Sequence, residues 1–492
     1  MVRKNLTQNT TYYTAALVFQ KLLAFVYFTF LARGLGVEDL GKYAFAFSFT
    51  TIFSVLVDVG LSPVLTREIA KAREKAGNLL SNVLTVKLTL SVFTYVLIFV
   101  LINLLGYPEL TKTLVYLTGL VMLLDTFSTT FWATLRGNQN LKYESIGIIL
   151  FETLVVLVGG TFLYLNLNVI WMVSAILLAS TFNFVFSYVQ MRVRLGIVPK
   201  IVWDKYLVKG LIKISIPFAL TGIFARLNTQ IDTVFLSKLG CTSQDACDAN
   251  VGIYSVATKI TLALHFIPLA FTAALFPAMS EYFVNNKQKL ARTFEKAMRY
   301  LMMIGMPIAA GVIVLADVIV PKVFGQEFTS SVLPLQILMA SLVFIFLTYP
   351  IGSFLNATSR QLRNAVHIGV AVVVNIILNL ILIPKMTYSG AALASLASTL
   401  VILILGLYVV PQIIKLKNRW LIISFIKTFL AASLMALVLS KLTNMLHFII
   451  LIIVGAVIYF ITLFILGGIN KEEAADLLIS LKLKKGRTTN ES

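Results

Sequence analysis

Charged residues are scarce in this sequence. They make up 13% of its 492 residues, against about 25% in a typical soluble domain, while 59% of the residues are hydrophobic. Also missing are a cluster of His, Cys and Glu for a metal, a glycine-rich nucleotide loop and a serine nucleophile elbow. These absences exclude a soluble globular protein and give no support to an enzyme. We therefore expect a membrane protein with no catalytic residues, no cofactor and no metal.

Long apolar runs account for most of the chain. A membrane-spanning helix needs about 20 mostly apolar residues, and the runs of that length lie near residues 10–32, 42–62, 83–105, 113–134, 144–165, 169–190, 211–237, 251–275, 298–319, 331–353, 364–383, 389–411, 421–440 and 446–467. No signal-peptide cleavage site follows the first run, so we expect it to stay in the protein. The sequence predicts an all-α polytopic membrane protein with about 14 transmembrane helices.

Positive charge dominates the few charges present, with 41 Lys and Arg against 21 Asp and Glu. If the N-terminus is inside and the runs alternate, the inside segments hold about four times as many Lys and Arg as the outside loops. This distribution follows the positive-inside rule and favours contact with anionic lipid over nucleic-acid binding. We expect a multi-pass protein of the cell membrane with cytoplasmic N- and C-termini.

The two cysteines, Cys241 and Cys247, fall in the loop CTSQDACDAN, which this topology places outside. An oxidising exterior permits a disulfide, and no histidine lies nearby to complete a metal site. A disulfide is the favoured interpretation, and two free thiols are the alternative.

An internal repeat relates the two halves of the chain. The segment TFLARGLGVEDLGKYAFA resembles VFLSKLG…NVGIYSVA, so that Gly41 and Tyr43 correspond to Gly252 and Tyr254. Each copy contains six apolar runs, an even number, which predicts two parallel repeats related by an axis along the membrane normal.

The repeat also predicts the domain organisation. Two six-helix lobes favour a substrate path between lobes that rock against each other, and a larger helical scaffold without transport is the alternative. The expected domains are an N-lobe at 1–190 with helices 1–6, a cytoplasmic linker at 191–210, a C-lobe at 211–411 with helices 7–12, helices 13 and 14 at 412–470, and a cytoplasmic basic tail at 471–492.

The segments FLARGLGVEDLGKYAFA, LRGNQNLKYESI and IDTVFLSKLG…VGIYSVATKI together resemble one superfamily. It is the multidrug/oligosaccharidyl-lipid/polysaccharide (MOP) exporter superfamily, and within it the polysaccharide transporter branch, which includes O-antigen-repeat flippases. The resemblance implies a flippase that moves a polyprenyl-(di)phosphate-linked oligosaccharide from the cytoplasmic to the outer leaflet, for cell-surface polysaccharide or glycoprotein glycan synthesis. The implied partners are that substrate, membrane lipids and glycan-assembly enzymes.

Three cations lie too deep in apolar runs to reach the membrane surface easily. They are Lys21 in the first run, Arg226 in the seventh and Lys259 in the eighth. A charge at that depth is costly unless it faces a partner or water, and an anionic phosphate suits both Arg and Lys. We predict that the three contact phosphate or glycan in a cavity, with Thr229 and Gln230 as polar neighbours. The alternative is that a buried carboxylate or a helix carbonyl holds each cation.

Acidic residues within the runs are predicted to be structural or coupling residues. Asp125 and Glu152 are the candidate partners of the deep cations. Asp232 lies six positions after Arg226, about 120° around a helix, so the two do not share a face, and we expect Asp232 to join its helix to a neighbour. Lys87 lies near an inside end, where its long side chain is expected to snorkel to the interface.

A second function within the superfamily stays open at this point. A cation-coupled exporter of drugs or metabolites would prefer an acidic cavity, whereas deep cations favour an anionic substrate. Because no ATP-binding motif is present, active transport would draw on Na+, H+, the membrane potential or consumption of the product, and the sequence does not distinguish them.

Overall fold

The computed structural model describes residues 2–443 and 447–468, so the predicted basic tail at 471–492 lies outside the described residues. The described chain is built from α-helices joined by short connections, with no β-strand in these ranges. The helices are α1 (Val2–Asp58), α2 (Leu61–Lys71), α3 (Ala76–Leu104), α4 (Glu109–Gly137), α5 (Lys142–Tyr164), α6 (Val169–Leu195), α7 (Lys205–Leu236), α8 (Gln244–Leu264), α9 (Phe266–Asn285), α10 (Lys287–Phe324), α11 (Val332–Ala357), α12 (Gln361–Val409), α13 (Asn418–Leu442) and α14 (Phe448–Ile465).

Eleven helical segments in the described ranges are long and apolar enough to cross a membrane, and Ile450–Ile465 is a shorter apolar helix. Two of the helices, α1 and α12, each contain one residue with non-helical geometry, Gly36 at φ 73° and Thr387 at φ 47°. One predicted apolar run lies on each side of each of these residues, so α1 and α12 each contain two runs. The number of long helices is therefore smaller than the number of runs. The protein is a multi-pass helical membrane protein, as the composition predicts.

The described chain packs as two compact units. One contains the described residues up to Leu264 together with Pro321–Leu335 and Arg360–Ile402, and the other contains His265–Val320, Gln336–Ser359 and the described residues from Leu403 onward. These units differ from the predicted lobes, whose boundary lies at 191–210. The lobes describe a repeat in the sequence and the units describe packing, so the lobe division stays a prediction.

One apolar core of the first unit forms where α2, α3, α4 and the beginning of α7 meet. In α2, the buried residues Leu61, Val64, Leu65 and Ile69 recur at helical spacing and therefore share one face. Arg67 lies on the exposed side of the same helix. This amphipathic pattern holds α2 against the core and fixes its direction after the turn that follows α1.

The second unit has its own apolar cores. Phe294 of α10 packs against Phe354 of α11 with ring centres 5.1 Å apart. The hydroxyl of Tyr459 in α14 donates to the carbonyl of Met303 in α10 at 2.9 Å. That bond satisfies the only polar atom of the Tyr459 side chain, which is fully buried, and it joins α14 to α10.

The segment between α6 and α7 is extended and attached to α3. Three of its backbone N–H groups donate to α3 side chains: Lys200 to Ser81 at 3.1 Å, Val202 to Thr85 at 3.1 Å and Asp204 to Asn82 at 2.7 Å. Asp204 then caps α7 by accepting from the N–H groups of Tyr206 and Leu207. The last part of the predicted linker is therefore fixed along α3 by polar contacts.

Candidate substrate cavity

A cavity of about 400 Å³ lies within the first unit, lined by residues of α1, α2, α4 and α7. Its volume is in the range of about 300–1,000 Å³ found for small-molecule sites. The lining includes the charged residues Asp58, Asp125 and Arg226 between apolar surfaces such as those of Phe47 and Phe218. An apolar wall with a few charged groups is the usual character of a binding site.

A glycine in the turn after α1 lets α7 approach closely at this cavity. Gly60, at φ 71° in the turn after α1, leaves room for only a hydrogen, because a Cβ there would lie 2.8 Å from the Cβ of Phe218. Farther along α7, a Cβ on Gly222 would lie 3.4 Å from Val55 of α1, an ordinary packing distance. Arg226 follows Gly222 by four residues and so points from the same face of α7. The close approach therefore brings Arg226 to the cavity wall.

Arg226 is exposed to the cavity and has no hydrogen-bond or ion-pair partner for its side chain among the described residues. Asp125 lines the same cavity without an ion pair to Arg226 or to any other cation in the described part of the chain. A charge at such depth is costly without a partner, water or a ligand. Arg226 is thus available to a molecule that enters, and so is Asp125, whose carboxylate has only the neutral Ser180 hydroxyl beside it among the described residues.

Five of the six hydroxyl side chains of the lining are bonded in the same way, Thr51 being the exception. These five donate to backbone carbonyls: Thr50 to Ala46 at 2.9 Å, Ser54 to Thr51 at 2.7 Å, Thr118 to Ala46 at 3.2 Å, Thr126 to Met122 at 2.7 Å and Thr129 to Asp125 at 2.8 Å. A hydroxyl carries a single hydrogen, so these oxygens retain only acceptor capacity.

Asp58, the other acid of the lining, is neutralised by Lys87. Its Oδ1 lies 2.5 Å from the Lys87 Nζ, which also donates to Ser62 at 3.0 Å and Thr130 at 2.6 Å. The Lys87 side chain is completely buried, so the expectation that it snorkels is wrong. Helices α1, α2 and α4 surround the side chain. The position of Lys87 along α3 does not reveal this burial, because it depends on how the helices pack. Sequence reasoning also missed the Asp58–Lys87 pair, although both residues lie near inside ends of neighbouring runs.

Lys21 and Lys259 belong to a different charged cluster. Glu152 of α5 is buried and near enough to both lysines to feel their charge, but it forms no ion pair with either of them among the described residues. The Lys259 Nζ also lies 4.9 Å from the ring centre of Phe28, a cation–π distance. Neither lysine lines the cavity of Arg226, so the structure does not bring the three predicted cations together there. Because no ion pair forms, the alternative interpretation that a carboxylate holds these lysines stays a prediction.

Thr229 and Gln230 are not part of the cavity lining either. The Thr229 hydroxyl donates to the carbonyls of Ala225 and Arg226, at 3.1 Å each. The predicted contact of these two side chains with a substrate stays a prediction.

Asp232 is embedded in a network of hydrogen bonds within the first unit. Its carboxylate accepts from the Tyr254 hydroxyl at 2.9 Å, from Asn375 at 2.9 Å and from Asn379 at 2.7 Å. The residue is 4% exposed. Three neutral donors therefore satisfy this buried charge and join α7 to α8 and α12.

The two glycines matched by the internal repeat lie against each other. A Cβ on Gly41 would be 1.7 Å from the carbonyl oxygen of Asp248, and a Cβ on Gly252 would be 1.9 Å from that of Val37. Each glycine thus contacts the carbonyl four residues before the other. The result is a symmetric backbone crossing of α1 and α8, into which no side chain fits.

A disulfide joins Cys241 and Cys247 just before and within the first turn of α8. Beside it, the Lys238 Nζ lies 3.9 Å from the ring centre of Tyr107, and the Tyr107 hydroxyl is 2.7 Å from that of Ser237. The loop that carries the disulfide is therefore anchored on the connection between α3 and α4.

Comparison with known proteins agrees with this architecture. A family model described as polysaccharide biosynthesis protein matches residues 6–283, more than half of the chain. A relative, the probable low-salt glycan biosynthesis flippase Agl15 of Haloferax volcanii, is 28% identical over 173 residues. That match covers 35% of this chain and 37% of the relative, so it spans about a third of the relative's length.

Among solved structures, the lipid II flippase MurJ in an inward closed conformation has a TM-score of 0.75 at 18% identity, over 92% of this chain and 97% of MurJ. An inward-facing multidrug resistance MATE family transporter of the MOP superfamily has a TM-score of 0.63 at 17% identity, over 81% of this chain and 98% of its own. These similarities show a shared fold. The chain belongs to the polysaccharide biosynthesis protein family and has the fold of the MOP superfamily.

Proposed function

We propose that this protein is a flippase that moves a polyprenyl-phosphate- or diphosphate-linked oligosaccharide from the cytoplasmic to the outer leaflet of the cell membrane. Family membership and the similarity to a probable glycan flippase support this function. The observation that carries the proposal is the unpaired guanidinium of Arg226 in a cavity within the first unit. A guanidinium binds phosphate oxygens through two parallel charge-assisted hydrogen bonds.

A cation-coupled exporter of drugs is the alternative function, because the same fold also serves MATE transporters. Of the charged groups in the lining, Asp58 is already neutralised by Lys87. Of the other two, Arg226 repels a cationic drug and Asp125 attracts one. A ligand with an anionic group and hydrogen-bond donors can use both Arg226 and Asp125, whereas a simple cation can use only Asp125 and is opposed by Arg226.

The proposed cycle is alternating access, with both termini cytoplasmic. The crossing of Gly41 and Gly252 joins α1 of the predicted N-lobe to α8 of the predicted C-lobe through close backbone contacts. Small residues at a helix crossing allow tight packing, so in this cycle the lobes would move about the contact rather than separate at it.

The test is a flipping assay with Arg226→Gln. Purified protein is reconstituted into liposomes that contain a fluorescent polyprenyl-diphosphate oligosaccharide, and the fraction exposed to a membrane-impermeant quencher is followed over time. Loss of a charge-assisted phosphate contact is worth about 1.5–3 kcal/mol, so we expect the initial rate to fall about tenfold or more. The control is Arg292→Gln, which removes an exposed arginine of α10 outside the cavity lining. Equal rates for the two variants contradict the role of Arg226, and a wild-type rate equal to that of empty liposomes contradicts the function.

A further inference from the structure

The cavity wall presents two uncompensated charges at separate points. Asp58 is paired with Lys87, which leaves Arg226 and Asp125 without a compensating ion among the described residues. No ion pair joins these two, although both line one cavity of about 400 Å³. A single ligand can therefore meet the cation with one group and the carboxylate with another.

Apart from Arg226, the polar groups of the wall mainly accept hydrogen bonds. The lining hydroxyls of Ser54 and Thr129 are accessible, and each donates its hydrogen to a backbone carbonyl. Their oxygens and the Asp125 carboxylate therefore accept hydrogen bonds from a ligand. A complementary ligand has one anionic group and several donors, and it has apolar faces to contact Phe47 and Phe218.

We propose that this cavity binds the sugar next to the phosphate and selects a neutral or amine-bearing sugar over an acidic one, with Asp125 as the selecting residue. The inference rests on the proposed function, because it takes Arg226 as the phosphate contact. The hydroxyl hydrogens of a neutral sugar match the acceptors of the wall, and an ammonium group of an amino sugar also pairs with Asp125. A uronate places a second negative charge near Asp125, and like charges in an enclosed site repel strongly.

A phospholipid headgroup with a phosphate and an ammonium group is the competing occupant, since it also carries both charges. It has a single donor group, whereas the wall offers acceptors from Ser54 on α1 and Thr129 on α4 as well as from Asp125. A sugar uses more of these acceptors, so the observations favour the sugar.

The experiment measures binding by the full-length protein in detergent. The probes are citronellyl phosphate, its glucosyl and glucuronosyl esters, and glycerophosphoethanolamine, each titrated by calorimetry. We expect the glucosyl ester to bind about tenfold tighter than the glucuronosyl ester. In Asp125→Asn, which keeps the side-chain shape, we expect the two esters to bind within about threefold of each other. The matched control, Asp317→Asn, removes an exposed acid of α10 outside the lining and should keep the wild-type ratio.

Thr129→Val supplies a second test in case the Asp125 variant does not fold. It removes one acceptor beside Asp125, so we expect the glucosyl ester to bind about three- to tenfold more weakly while citronellyl phosphate binds as in the wild type. The proposal is overturned if the wild type binds both esters equally, if Asp125→Asn keeps the full discrimination, or if glycerophosphoethanolamine binds more tightly than the glucosyl ester. A protein that flips the labelled glycan without discriminating the esters refutes the sugar selection alone. One that discriminates them without flipping refutes the proposed function alone.

Discussion

Two charged residues six positions apart in α7 have opposite surroundings. Asp232 is buried and accepts three hydrogen bonds, whereas Arg226 is exposed in a cavity and has no side-chain partner in the described ranges. A buried charge whose donors are all in place is held by the fold. A deep cation without a partner is instead available to a ligand or water. Charge within an apolar helix therefore has two meanings, and the partners distinguish them.

The largest effect expected from this comparison is on stability, in Asp232→Ala. The substitution removes the acceptor of three buried donors, and each donor left unsatisfied costs about 1–3 kcal/mol, so we expect the free energy of unfolding to fall by about 3–5 kcal/mol. Denaturant unfolding of the purified protein in detergent measures the change. Asp232→Asn is the matched control, because its amide oxygen still accepts a hydrogen bond and it should lose less. An alanine variant as stable as the wild type would show that the network does not hold α7.

A smaller effect is expected in Tyr254→Phe, which removes only one of the three donors. The lost hydrogen bond to the charged Asp232 corresponds to about 1.5–3 kcal/mol of unfolding free energy. The double variant Tyr254→Phe with Asp232→Ala should lose less unfolding free energy than the sum of the two single variants, because both substitutions remove the same hydrogen bond. Tyr164→Phe, at a tyrosine that is 86% exposed, is the control. Strict additivity would contradict a direct interaction.

The separation of Arg226 from Asp232 follows from the sequence alone, because six residues on a helix span about 120°. The remaining grouping of charges does not. Position along an apolar run gives the depth of Lys21 and Lys259 but says nothing about which helix each one faces. Their proximity to Glu152, and not to Arg226, depends on how α1, α5 and α8 pack.

The repeat shows the same limit. It identifies Gly41 and Gly252 as equivalent residues, and the equivalence of two positions does not indicate that they touch. Their mutual contact is visible only once α1 and α8 are placed together. The family, by contrast, was predictable, because its soft pattern of Gly, Tyr and basic residues is local in sequence and is confirmed by the family match over residues 6–283.

The smallest stability change is expected for Arg226→Gln, the counterpart of Asp232→Ala in the comparison of the two charged residues of α7. Because the guanidinium has no partner among the described residues, its removal breaks no bond of the folded chain. We expect the free energy of unfolding to change by about 0.5 kcal/mol or less, as for a substitution outside any packed or bonded feature. The same unfolding titration used for Asp232→Ala measures this. A loss above about 1 kcal/mol would reveal a stabilising role for Arg226 and weaken the case for a ligand. If Arg226→Gln leaves the stability unchanged but loses flipping, then Arg226 serves transport while Asp232 serves the fold. A substrate contact gives that combination, because its loss affects binding and breaks no bond of the folded chain.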